Sequence, residues 1–435
     1  MIRAIVAAIA FLLGAAAGAR EPPGLHSALD RLAVEGRFSG AVVIRGPEGI
    51  RFARGYGLAD PFANRAFTPD TPADSGSLAK PVTAAAVLML AREGKLDLDA
   101  PVRRYLPEYP HASTIVRHLL AHSAGLSIDE SERSIVGKTN EALLAEARRG
   151  EPLFEPGSGF TYCNLCSVAL AILIERVSGS HYLDFARTRL LLPAGVALRP
   201  RRLSDWAGRA IGYRRTTDGK VERADSYEDE RFYGAANLSV SASQLAEWGT
   251  QWWRPPLTSI RSPATTPAMI SAKRSGLTWG NWYCAPGGRR CHYLGHHEGF
   301  HHMLYWDSER RVSLALVSNN TLAPALQQRL QRALVAFAEG RSAQARRELA
   351  QPLADRPVAP GRYRFPTGEA VVVRSKRKSS LAVDRREIEY PAYRMGAGIR
   401  YVPGLDAYLA GAPGGGLRWL SLHEDFRGAP SAPRR

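Results

Sequence analysis

Between Ser75 and Gly94 the chain reads Ser-Gly-Ser-Leu-Ala-Lys and then carries no further charge until Arg92. Pro81 fits the first turn of a helix, where a missing N–H costs nothing. Val82, Ala85, Ala86, Met89 and Leu90 recur at three- and four-residue spacing, which predicts a buried helix closed by Gly94. That helix puts Ser77 at or just before its N-terminus, where free backbone N–H groups and the positive dipole end favour developing negative charge. Lys80 falls on the same side one turn later. A hydroxyl is a weak nucleophile until its proton is taken, and a desolvated lysine three residues on, next to another base, can take it.

At 435 residues the chain has room for two domains, or one large domain with an appendage. Its 45% hydrophobic and 23% charged residues exclude a disordered polymer. Residues 1–19 combine an early Arg3, an apolar run through Leu12 and Leu13, and small residues Ala17-Gly18-Ala19 before Arg20, the pattern of a secretory signal peptide. No later stretch is long enough to span a bilayer. Export would bring the four cysteines into an oxidising compartment. One bond within each close pair, Cys163 with Cys166 and Cys284 with Cys291, is the preferred pattern among the three connectivities that four cysteines allow. Zinc binding by Cys163-x-x-Cys166 lacks a second pair of metal-type spacing. The net charge of +17, with much of the surplus after residue 340, reads as a solvated basic face or as attraction to anionic envelope polymers. An exported chain is not expected to meet nucleic acid.

Gly40 to Arg45 and Ile50 to Gly55 read as two strands joined by Gly46-Pro47-Glu48-Gly49, a predicted hairpin. After the Ser77 helix come "GKLDLDAPVRRYLP", "TIVRHLLAHSAGL", "FEPGSGFTYCN" and "YGAANLSVSASQLAEWG". These segments, in this order, resemble the serine β-lactamase and penicillin-binding-protein superfamily, in the class C-like branch of D-alanyl-D-alanine carboxypeptidases, D-aminopeptidases and esterases. The resemblance covers roughly Phe38 to Ala338, and ordered agreement over that length is more specific than any one motif.

The resemblance implies an α/β (α+β) fold: an antiparallel sheet built from both chain ends, flanked by helices, with a helical subdomain inserted between and the active site in the cleft. Strand-like runs at Met303 to Trp306 and Val312 to Val317, late in the chain, agree. The hydrolase domain is expected over 24–345 and a linker over 346–360. Residues 361–430, with short strand-like runs between turns, read as a small all-β appendage.

The same resemblance assigns a site. Ser77 is the nucleophile and Tyr162, in Tyr162-Cys163-Asn164, the proton acceptor and donor, since a lysine ammonium beside it can depress the phenol's pKa and leave an oxygen able to take the serine proton and later return it. Lys80 is its electrostatic partner, and Asn164 would orient Lys80 and the substrate amide. The family's Lys-Thr-Gly or His-x-Gly strand is matched by Gly295-His296-His297-Glu298-Gly299, with His296 at the first position and Gly299 supplying an oxyanion N–H beside that of Ser77. Glu298 departs from the pattern, which has glycine where substrate lies against the strand.

His297-Glu298-Gly299-Phe300-His301 also spells the zinc-protease motif, but only a helix brings histidines four apart onto one metal; in a strand they would be about 13 Å apart. Ala121-His122-Ser123-Ala124-Gly125 resembles a nucleophile elbow without the strand that must precede it, because Thr114 to Leu120 reads as helix. Gly137-Lys138-Thr139 ends like a phosphate loop, yet Glu132 occupies the place of its first glycine.

The reading is therefore an exported serine hydrolase, periplasmic or secreted, cleaving an amide or ester through an acyl-enzyme on Ser77, with no cofactor and no metal. D-alanyl-type peptidase or esterase activity is favoured over β-lactamase because His296 replaces the usual lysine. The remaining alternatives are an envelope-binding protein impaired by Glu298 and a zinc hydrolase using His297 and His301. The expected partner is a small molecule or peptide carrying an acyl group, cell-wall material among the candidates.

Overall fold

The computed structural model describes residues 24–126, 138–147, 152–159, 162–196, 208–215, 220–224, 232–236, 238–252, 276–277, 282–285, 288–297, 299–320, 322, 324–350, 359–364, 370–376, 380–385, 388–394, 400–402, 407–411, 416–420 and 425–430. The signal peptide expected over 1–19, Glu298 and residues 351–358 of the expected linker lie outside them. Among the described residues no helix is long and apolar enough to cross a membrane.

Helix α1 (Leu25–Val34) leads into the hairpin β1 (Gly40–Gly46) and β2 (Gly49–Tyr56). A 3-10 turn, Gly76–Leu78, runs directly into α2 (Ala79–Arg92), followed by α3 (Val116–Leu120), α4 (Asn140–Ala147), α5 (Asn164–Ser178) and α6 (Ala242–Gln251). The chain then returns to the sheet through β3 (Gly276–Leu277), β4 (Tyr283–Cys284), β5 (Arg290–His297), β6 (Phe300–Asp307) and β7 (Val312–Ser318), and closes with α7 (Pro324–Ala338) and α8 (Ser342–Ala350). The strands form one antiparallel sheet in the order β2-β1-β7-β6-β5-β4-β3. The first hairpin is thus zipped to the last strand, Gly40 opposite Ser318 and Val42 opposite Leu316, and everything from α2 to α6 is inserted between.

Both faces of the central strands are buried, and strand alternation sorts the side chains. Val42, Ile44, Leu294, Met303, Tyr305, Leu314 and Leu316 pack with α1, α7 and α8. Ala41, Val43, Tyr293, Leu304, Trp306, Ala315 and Val317 belong to the core that holds α2, α5 and α6. The small residues Ala84, Ala85 and Ala86 on α2, all fully buried, let that helix lie close against its neighbours.

Two expectations meet the structure at residue level. Cys284 and Cys291 sit opposite each other on β4 and β5 and are bonded, as are Cys163 and Cys166. Residues 346–350, expected in the linker, are instead the end of α8, where the neighbouring Ala345 is buried in the core and Glu348 pairs with Arg332 of α7 at 3.2 Å. Beyond them, eight strands from Gly361–Arg364 to Asp425–Pro430 form a closed antiparallel barrel, the all-β appendage.

Candidate active site

Ser77 is the middle residue of the 3-10 turn ahead of α2 and is half-buried, so solvent reaches it. The turn is fixed by what precedes it. Ala73–Asp74 pairs with Ser239–Val240, the Ser75 N–H donates to the Leu238 carbonyl at 2.8 Å, and the Leu238 N–H donates to Ser75 Oγ at 3.3 Å. Gly76 has φ +49°, and a Cβ there would lie 2.9 Å from the carbonyl oxygen of His296. Only glycine allows the nucleophile turn to rest directly on β5.

Lys80, the second residue of α2, is fully buried, and its ammonium donates to Ser77 Oγ at 2.9 Å and to the Ala235 carbonyl at 2.9 Å. The segment bearing that carbonyl is pinned on both sides. Asn140 of α4 donates to the Tyr233 carbonyl at 3.0 Å and accepts the Phe232 N–H at 3.1 Å, while Thr83 Oγ1 of α2 donates to the Gly234 carbonyl at 2.7 Å. A buried ammonium needs such partners, because desolvation without them costs several kcal/mol, on the order of what a fold can spare.

The phenol of Tyr162, two residues before α5, completes the group. Its oxygen is 2.6 Å from Ser77 Oγ, and Lys80 Nζ lies 4.9 Å from the ring centroid. Nucleophile, lysine and tyrosine, separated in sequence by as many as 85 residues, therefore meet around one oxygen. A proton can pass between the serine and tyrosine oxygens at that distance while the ammonium offsets the charge. Asn164 is the first residue of α5, half-buried at the same helix end.

The β5 residues fall differently from the motif-based assignment. Leu294 and Gly295 face opposite sides, the first packed in the α7 core and the second lying under Ser75. His296 shares the face of Leu294. Its Nε2 is 2.6 Å from the side-chain amide nitrogen of Gln327 on α7, and its ring lies 5.2 Å from that of His301. The imidazole assigned to substrate is thus turned to the back of the sheet, and His297 occupies the Ser77 face. His297 Nδ1 is 2.5 Å from Oδ2 of Asp74. Gly299, with φ +76°, lies in the β5–β6 turn, where a Cβ would meet the Gly212 and Tyr213 backbone at 2.6 Å.

Asp74, which the sequence reading did not single out, is fully buried. Burial alone would raise its carboxyl, but the charge and hydrogen bond of His297 and the Gly76 N–H, 3.0 Å away, hold it below the ordinary carboxylate range. His302 Nε2 donates to the Asp74 carbonyl at 2.5 Å, and its Nδ1 accepts the Ser318 N–H at 3.2 Å, so the ring is neutral. Burial pushes its pKa down to about 4. The zinc reading fails on geometry: His297 and His301 lie on the two strands of a hairpin, opposite Phe300 and His296 respectively, and not on a helix.

Comparison with known proteins identifies the family and the fold. The family described as Beta-lactamase matches residues 26–338. Penicillin-binding protein 4* of Bacillus subtilis is 30% identical over 181 residues, 40% of each chain. Esterase EstB of Burkholderia gladioli is 36% identical over 177 residues, 36% of this chain and 45% of that one. The chain thus aligns with less than half the length of these two relatives. Among solved structures, the octameric penicillin-binding protein homologue from Pyrococcus abyssi superposes with a TM-score of 0.65 at 20% identity, covering 93% of this chain and 98% of that one. The D-amino acid amidase from Ochrobactrum anthropi gives 0.57 at 21% identity, covering 74% and 95%. Matched over most of its length and carrying the fold of its structural neighbours, this chain belongs to the beta-lactamase family.

Proposed function

We propose that the protein is a serine hydrolase that cleaves an amide or ester through an acyl-enzyme on Ser77. The observation that carries this reading is the convergence of Lys80 and Tyr162 on Ser77 Oγ, at 2.9 and 2.6 Å. With Tyr162 as the phenolate, Ser77 Oγ forms a bond to the substrate carbonyl carbon as its proton passes to the Tyr162 oxygen, and the carbonyl electron pair moves to the oxyanion. Tyr162 returns that proton to the leaving amine or alcohol as the old acyl bond breaks, and water repeats the sequence to release the acid. Lys80 stays an ammonium throughout and offsets the negative charge on whichever oxygen has lost its proton.

The Ser77 N–H, in the turn ahead of α2, supplies one donor to the oxyanion, and the β5–β6 turn that contains Gly299 the second. Asn164 orients the substrate amide. With the His296 ring turned to α7, the preference for ester or D-amino-acid amide substrates rests on relatives: Esterase EstB in sequence and the D-amino acid amidase in fold. The two disulfides support a periplasmic or secreted location, and the positive net charge supports contact with anionic envelope polymers.

Ser77→Ala tests the proposal. Hydrolysis of p-nitrophenyl esters should fall at least about a thousandfold, and intact-mass spectrometry should show a fluorophosphonate adduct on the native chain that the variant lacks. Undiminished hydrolysis by the variant would refute the acyl-enzyme. A panel of D-alanyl esters, D-amino-acid amides and penicillins, scored by acyl-adduct mass and turnover, then separates peptidase, esterase and β-lactamase.

A further inference from the structure

Tyr162 is flanked by a histidine that the chemistry above does not use. His122 follows α3, is 1% exposed, and has φ +54°. A helix end in this left-handed conformation is ordinarily glycine or asparagine, so a histidine there is strained and its side chain must supply something in return. Its Nδ1 accepts the N–H of Cys163 at 2.8 Å, the peptide immediately after Tyr162. Its ring also lies alongside the phenol, with centroids 5.3 Å apart and planes tilted by 32°. The strand of chain leading to Tyr162 is laid over the same place: the Leu153 N–H donates to the Gly125 carbonyl at 2.9 Å and the Gly157 N–H to the Ser123 carbonyl at 2.7 Å. On the far side, Cys163 is tied into the first turn of α5 by its bond to Cys166.

We infer that His122 is the positioning residue for Tyr162: as a neutral ring protonated on Nε2, it fixes the Cys163 amide and one flank of the phenol, which sets the Tyr162 oxygen at bonding distance from Ser77. The inference rests on the reading of Tyr162 as the group that moves the proton. A nitrogen that accepts a backbone N–H carries no proton of its own, which dictates the tautomer. His122 neither takes the proton nor binds substrate in this scheme. Its loss should therefore appear in the rate of the chemical steps and leave substrate binding nearly unchanged.

Two variants separate the side chain from the backbone it strains. His122→Gly accepts the left-handed conformation and removes the acceptor. His122→Asn is also tolerated there and returns a side-chain oxygen near the place of Nδ1. His122→Gly should lower kcat for ester hydrolysis by roughly 10- to 100-fold with KM within about twofold, the size expected when a reacting group drifts by about an ångström. His122→Asn should recover most of that loss. Wild-type kcat in His122→Gly, or a His122→Asn enzyme no faster than His122→Gly, overturns the proposal.

Nitrogen NMR of the native chain, labelled at histidine, gives a check that needs no variant. It should find His122 protonated on Nε2, and a ring protonated on Nδ1 overturns the proposal even if a variant fails to fold. Fluorophosphonate labelling of wild-type Ser77 distinguishes the two levels. If native Ser77 neither labels nor turns over, the hydrolase reading falls and this inference with it. If native Ser77 labels and turns over while His122→Gly is unaffected, the inference alone falls.

Discussion

Asp74 accepts the Gly76 N–H through one carboxylate oxygen and faces His297 through the other, so the turn bearing Ser77 hangs from a side chain three residues before it. Asp74→Asn weakens a charge-assisted pair inside the protein and should destabilise the fold by about 2–3 kcal/mol. Denaturant unfolding measures that, and Ser77 labelling should slow alongside. The pH behaviour of the neighbouring ring has a definite sign. Burial holds His302 at a pKa of about 4, whereas an exposed histidine titrates near 6.5. Between those values the unfolded chain binds a proton that the folded chain refuses, so stability is fully present above about 6.5 and is lost as the pH falls toward 4. The loss should be on the order of 3 kcal/mol. Melting curves across that window should flatten in His302→Gln. Asp74 has the opposite electrostatics but the same slope: its lowered pKa contributes stability that disappears only below its ordinary value near 3.8. Neither Asp74 nor His122 was legible as a site residue. An aspartate before a Ser-Gly turn and a histidine after a short helix are common in any sequence, and what marks them is a long-range partner: 223 residues away for Asp74 and 41 for His122.

The elements that could be read from sequence are those whose apolar pattern is imposed by burial. β1 and α2 show as apolar runs because they are buried on nearly every side, and β2 shows through Phe52 and Tyr56, the residues it buries. The ordered series of short motifs then supplied the architecture that periodicity could not. The parity of β5 was harder. In a run of His296-His297 followed after a turn by His301-His302, shifting the assignment by one residue exchanges the two faces of the sheet. Leu294 packed against α7, and Gly295 lying under Ser75, decide the matter in three dimensions. The far end of the same strand carries the Cys284–Cys291 bond, which closes a short loop. Replacing both cysteines with serine should lower the unfolding free energy by about 2 kcal/mol and leave Ser77 labelling intact. Loss of labelling would mean that this edge of the sheet shapes the site.

At the scale of the molecule, two sheets satisfy their hydrogen bonds in different ways. The seven-stranded sheet is covered on both faces by helices, while the C-terminal eight-stranded barrel has no edge left open, because its first and last strands pair. The barrel closes without a strand from the seven-stranded sheet, so we expect ester hydrolysis not to depend on the covalent link between them. A protease site inserted between residues 351 and 358, once cut, should leave ester hydrolysis within about twofold of the uncut chain. A collapse of turnover on cutting would assign the barrel a share in the site. Within the catalytic layer, finally, the seat of Lys80 is built from the Ala235 carbonyl, a main-chain atom that every amino acid possesses. The Ala235 side chain is itself fully buried in the core, so the position leaves little room for a larger residue even though the atom that seats the ammonium belongs to the backbone. The vulnerable positions are Asn140 on α4 and Thr83, one turn after Lys80 on α2, whose side chains hold the neighbouring peptides in place and whose loss would unseat the lysine indirectly.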